Sequence, residues 1–248
     1  RFLGRLIGIF FLFPLIFFSI KLGFNKTKNL FVIFALICFQ GFIGWYMVSS
    51  GLVDRVDVSH YRLALHLIIA FIILSMIFWN YLKFNQFYVP SNKITFMLPI
   101  IFTLLIFLQI IIGAFVSGMD AGKIYNSWPL MGSNYFPDDN LIINLFSLSS
   151  FNDPSLVQFM HRNLAYFITL FYFFLLFKIY KNKFTNYFKI INLIGFLLLI
   201  QIFLGIITLI SGAQMLISSM HQISSIFLVS SNIYLIYLNS TANLQPSS

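Results

Sequence analysis

Seven long apolar runs, separated by shorter polar segments, set the pattern of the 248-residue chain. They fall at about 2–20, 29–49, 60–82, 94–118, 156–180, 187–210 and 214–238. Each approaches the roughly 20 residues that a helix needs to cross the hydrocarbon core of a bilayer. The pattern predicts an all-α, polytopic transmembrane bundle. Pro14 and Pro99 lie inside runs, predicting kinks that neighbouring helices tolerate. The closing TANLQPSS is polar and predicts a frayed tail.

Composition agrees with that pattern. The chain is 60% hydrophobic and 8% charged, against about 25% charged in soluble domains. The net charge of +9 would suggest nucleic acid in a soluble protein. Here it reads as loop charge at a membrane face, with lipid as the partner and no nucleic acid. The single cysteine, Cys38, excludes an intramolecular disulfide and a cysteine-based metal site. Arg1 opens directly into an apolar run, so a truncated chain is expected.

Charge alternates between the connections. Lys21, Lys26 and Lys28 follow the first run, Lys83 and Lys93 the third, and Lys178, Lys181, Lys183 and Lys189 surround the break after the fifth. The intervening connections carry Asp54, Arg55 and Asp57, then Asp120, Lys123, Asp138, Asp139 and Asp153, then no charge. The positive-inside rule places the lysine-rich connections in the cytoplasm or matrix. Arg1, Arg5, Arg55, Arg62 and Arg162 then fall toward the outer face, where a planar guanidinium suits the acid groups of a ligand. The connection at 119–155 is the longest, and its aromatic residues Trp128, Tyr135 and Phe136 predict an ordered segment at the interface.

Three histidines sit near the starts of runs that enter from the outer side: His66, His161 and His221. An ionisable residue inside a spanning helix is costly and marks a functional candidate. A weak internal repeat relates them. Arg1-Phe-Leu-Gly resembles Arg162-Asn-Leu-Ala, and Gln40-x-x-x-Gly44 resembles Gln201-x-x-x-Gly205 at the same offset; His66 then matches His221. Gln109-x-x-x-Gly113 occurs in the fourth run. The repeat divides the chain into residues 1–83, three runs of an expected four, and residues 94–239, a full four-helix unit containing the outer loop 119–155.

Two imidazoles from facing helices at matched depth suit the axial positions of a haem iron, so His161 and His221 are a candidate pair, with Arg162 beside them for a propionate. The competing reading is a pair of polar residues hydrogen-bonding across helices. His66 is the counterpart of His221, and its partner is expected just before Arg1. Arg62 lies one turn before His66 on the same face, placing it either on the same ligand or among lipid headgroups. His60 reads as a solvated loop residue.

The stretches RFLGRLIG, GWYMVSSGL, SHYRLALHL, GAFVSGMDAGKIYNSWPLMG, LVQFMHRNLAY and MHQ occur in this order and closely resemble the haem A synthase family, of the proteobacterial and mitochondrial type. The resemblance spans nearly the whole chain. It implies eight helices in two four-helix halves, each holding a haem between two histidines. It further implies oxidation of the C8 methyl group of haem O to a formyl group, giving haem A for cytochrome oxidase. Carried over by residue, His66 is an axial ligand in the substrate half, while His161 and His221 hold a haem b. Arg62, Arg162, Arg1 and Arg5 remain the candidate propionate partners. The family's first helix, its acidic outer-loop residue and its first histidine are expected before Arg1. Met160 stands where relatives often carry Asp, and the turn SGAQMLISS lacks their proline. The implied setting is a bacterial plasma membrane or a mitochondrial inner membrane, with histidines toward the outer face. Haem O would come from a haem O synthase, an electron partner is required, and a homo-oligomer is compatible. Two other classes use the same histidines: a di-haem b-type electron carrier without chemistry of its own, and a transporter with histidine proton relays.

Overall fold

A computed structural model describes residues 2–51, 58–85, 93–95 and 97–242. Seven helices carry the fold: α1 (Phe2–Leu22), α2 (Phe24–Gly51), α3 (His60–Asn85), α4 (Met97–Gly118), α5 (Pro154–Lys181), α6 (Phe188–Ile210) and α7 (Met215–Thr241). All seven are long and apolar enough to cross a membrane. The outer surface has the character lipid requires. Phe10, Leu170 and Phe203 are 71%, 68% and 64% exposed, which would be costly in water and is ordinary against acyl chains. The chain is a multi-pass membrane protein.

Neighbouring helices run antiparallel, and α3, α4 and α7 pack together at the centre. The main core lies between α3, α4, α5, α6 and α7, with Phe102, Leu175, Ile179, Tyr187, Ile191 and Leu235 essentially without exposure. A smaller cluster around Ile33, Ile43, Ile69 and Ile73 joins α2 to α3. Helix α1 packs against α2.

Three local features depart from the sequence reading. The lysine-bearing segment after α1 is not a loop: Gly23 alone joins the helices, and Lys26 and Lys28 lie in the opening of α2. Gly23 has φ of 83°, a region closed to most side chains, and Thr27 Oγ1 bonds back to its carbonyl at 3.2 Å. Pro99 lies in the first turn of α4, where a missing N–H leaves no helical bond unmade. Pro14 does lie inside its helix. Finally, His60 is half-buried rather than solvated. It opens α3 with its ring 5.1 Å from Phe115, and Gly118 admits its Cα so closely that an added Cβ would meet it at 2.8 Å.

The segment between α4 and α5 is ordered, as its aromatic content predicted. Short 3-10 turns at Ala121–Lys123, Ile142–Phe146 and Leu148–Asn152 punctuate it. Asp153 caps α5 by accepting from the Leu156 amide at 3.0 Å, with Pro154 at the first helical position. Asp138 accepts from the Ser133 amide and hydroxyl and from Asn134, and these bonds hold its carboxyl below the ordinary range. Burial pushes the Asp139 carboxyl up, but hydrogen bonds from Ser155, Tyr125 and Asn140 outweigh it and keep it low. These acids brace the loop.

Candidate functional site

His66, His161 and His221 each lie about two turns into α3, α5 and α7. Because those helices are parallel to one another, the three imidazoles share one end of the bundle. The lysine-rich connections occupy the other end.

His161 and His221 line one cavity of about 570 Å³, inside the 300–1,000 Å³ range usual for small-molecule and cofactor sites. Helices α4 to α7 form its walls, and Leu63, Leu67 and Phe71 of α3 close one side. Its polar lining includes Gln109, Gln158, Gln201, Arg162 and Tyr166. His66 faces elsewhere: its ring lies against Gly44 of α2, on a different side of α3 from the residues that close the cavity. The structure therefore brings His161 and His221 together and sets His66 apart.

Each histidine is held in the same way. Gln40, Gln109 and Gln201 donate to the backbone carbonyls of His66, His161 and His221 at 2.9, 3.0 and 3.1 Å. Four residues after each glutamine, Gly44, Gly113 and Gly205 face the corresponding rings; a Cβ there would meet Cε1 at 3.1, 3.0 and 3.2 Å. The sequence displayed these pairs as repeat anchors, and their contact with the histidines was the part it did not display.

The arginines have distinct surroundings. Arg162 lines the cavity, but its Nη1 donates to the carbonyls of Ser127 and Leu130 at 3.0 and 3.2 Å, and its Nη2 to that of Tyr125 at 3.1 Å. It fastens the long loop to α5. Trp128 Nε1 bonds the Tyr166 hydroxyl at 3.0 Å, Tyr135 bonds Asn163 at 2.6 Å, and Gln158 also reaches the Tyr125 carbonyl at 3.0 Å. Arg162 Nε remains buried without a hydrogen-bond partner. Arg62 stacks over Tyr46 with its guanidinium carbon 4.7 Å from the ring centroid. Arg5 is exposed near the start of α1, while Arg1 and Arg55 lie outside the described residues.

The donor set fits a haem. Two imidazoles lining one largely apolar cavity between helices suit a pair of axial ligands, and each ring also carries a buried Nδ1 without a hydrogen-bond partner. No group of three or more His, Cys, Asp or Glu suited to a bare metal ion exists among the described residues. Fold and site thus define a membrane-spanning helical bundle with a paired-histidine pocket.

Known proteins carry this further. The family model described as cytochrome oxidase assembly protein, COX15-CtaA, matches residues 1–233, and the chain belongs to that family. A heme A synthase of Pelagibacter ubique is 45% identical over 242 residues, covering 97% of this chain and 71% of the relative. Heme A synthases of Rickettsia bellii and Rickettsia prowazekii are 41% and 40% identical, with 93% and 96% of this chain and 70% and 72% of the relatives covered. No solved structure matches the chain.

Proposed function

We propose that this chain is a haem A synthase that oxidises the C8 methyl group of haem O to a formyl group, supplying haem A to cytochrome oxidase. The observation that carries the haem reading is the set of three half-buried histidines in one repeated setting, two of them lining a common cavity. Family membership supplies the reaction.

In this reading the two units, residues 1–83 and 94–239, divide the work. His161 and His221 hold a haem b in the C-terminal cavity. When bound, that group supplies one-electron transfer. His66 is an axial ligand of the substrate haem. Neutral imidazole is the form least costly to keep in a membrane and the form that binds iron. The Gly44 slot sets the edge of the His66 ring against α2, fixing where the substrate is held. Two successive hydroxylations of the substrate methyl group give a gem-diol, which loses water to the aldehyde, and the electrons this oxidation releases overall pass to an external electron-transfer partner. Arg62, with Arg1 and Arg5, serves the substrate's propionates. Arg162 serves those of the haem b through its free Nε while its terminal nitrogens hold the loop. The lysine-rich ends face the cytoplasm or matrix of a bacterial plasma membrane or mitochondrial inner membrane, and the histidines face outward. Haem O arrives from a haem O synthase, and a separate electron-transfer partner completes the cycle.

The test is pigment extraction from purified protein after haem O has been supplied. Haem A together with haem b is the expected result. Recovery of haem b with unchanged haem O would instead define a b-type electron carrier, and recovery of no haem would favour a transporter.

A further inference from the structure

We infer that Gln-x-x-x-Gly is a histidine-positioning cradle, in which the glutamine fixes the depth and rotation of each haem-ligating histidine and the glycine admits its ring. This rests on the reading of His66, His161 and His221 as haem ligands. The geometry explains the spacing. A helical side chain leans toward the N-terminus of its own helix, so the ring lies beyond its own carbonyl in that direction. The preceding helix runs antiparallel, so this displacement carries the ring toward that helix's C-terminus. A residue that meets the carbonyl and one that meets the ring must therefore follow one another by about a turn on the same face, as positions four apart do. The three observed cradles, α2 on α3, α4 on α5 and α6 on α7, all obey this order.

Each half of the cradle has its own physical requirement. The glutamine adds a hydrogen bond between helices where lipid gives apolar side chains little preference for one partner over another. The glycine is required because an added Cβ would stand 3.0–3.2 Å from Cε1, and the ring would have to yield by a few tenths of an ångström. The cradles are not identical. Gln109 Nε2 also lies 3.2 Å from His161 Nε2, whereas Gln201 Nε2 turns to Ser224 Oγ at 2.8 Å. An amide NH₂ can only donate, so Gln109 meets the lone pair of His161 Nε2, and a metal bound at that nitrogen would displace this contact while leaving the bond to the carbonyl. The bond to the histidine carbonyl is the part that all three cradles share.

The experiment uses the intact haem-loaded protein and reads the low-spin electron paramagnetic resonance signal and the transfer of haem to an excess of apomyoglobin. Gln109→Met keeps the side-chain length and removes the donor; Gly113→Ala adds the Cβ. Both should shift the low-spin g-values, and haem affinity should fall roughly 10- to 100-fold, as when the outer partner of a metal-bound histidine is lost. Gln201→Met should do the same through His221, and Gln40→Met should leave this signal unchanged. Identical g-values and retention in Gln109→Met and Gly113→Ala would overturn the cradle while leaving the ligand assignment intact. A low-spin signal that survives in His161→Ala would overturn the ligand assignment and the cradle with it. Should Gly113→Ala fail to fold, Gln109→Met alone decides through its g-values, which a general loss of stability would not move.

Discussion

In the proposed two-unit division, helices α4–α7, the C-terminal unit, and α1–α3, the N-terminal unit, share the same glutamine and glycine contacts to a histidine in different surroundings. In the C-terminal unit two cradles face each other across a cavity, and a loop of more than thirty residues is fastened over one end by Arg162, Trp128 and Tyr135. In the N-terminal unit a single described cradle holds His66, and Arg62, one turn before it, stacks on Tyr46. A shared device with unshared access suits one haem that stays and another that must enter and leave. The polar contacts of Arg162, Trp128 and Tyr135 close the C-terminal site.

The largest expected effect comes from the ligand itself. His161→Ala should abolish the low-spin haem signal of the C-terminal unit, while His60→Ala, at a histidine that does not line the cavity, should leave it in place. Loss of the signal from His60→Ala alone would reverse the assignment. A smaller effect separates the arginines. Arg162→Leu removes a charged donor from loop carbonyls, worth roughly 1.5–3 kcal/mol, whereas Arg62→Leu removes a cation–π contact worth roughly 0.5–1 kcal/mol. Tryptic cleavage after Lys123 should therefore rise in Arg162→Leu and stay at the wild-type rate in Arg62→Leu. Equal cleavage in the two variants would remove the loop-fastening role.

The smallest effect is in pH. The Asp139 carboxyl titrates below its ordinary value in the folded loop, so its ionised form stabilises that loop. The contribution is complete above the ordinary carboxylate range and is lost as pH falls through that range and below the lowered value. With Trp45 and Trp79 replaced by Phe, the fluorescence of Trp128 should report acid loosening of the loop, and Asp139→Asn should remove this acid-dependent component. An unaltered acid profile in Asp139→Asn would assign the transition to another group.

Hydropathy made the spans legible because transfer into lipid depends on length and apolarity, which a sequence states directly. The histidines were legible for the converse reason: a titratable group in an apolar run is conspicuous at His66, His161 and His221. The reversal at Gly23 was hidden because a single left-handed glycine replaces a loop, leaving Lys26 and Lys28 looking like loop charge. The loop-fastening contacts of Arg162 were hidden because a guanidinium beside a histidine suggests an acid ligand, and nothing local announces three carbonyls more than thirty residues away. Gln40, Gln109 and Gln201 were visible as a repeat. Their function emerged only when antiparallel pairing put each opposite the histidine of the next helix.

The most direct test of two haem sites with different tasks is the pigment content of His66→Ala and His221→Ala in the full-length protein supplied with haem O. The account predicts that His66→Ala keeps haem b and makes no haem A, whereas His221→Ala loses haem b. Haem A formed normally by His66→Ala, or the same pigment lost from both variants, would contradict it.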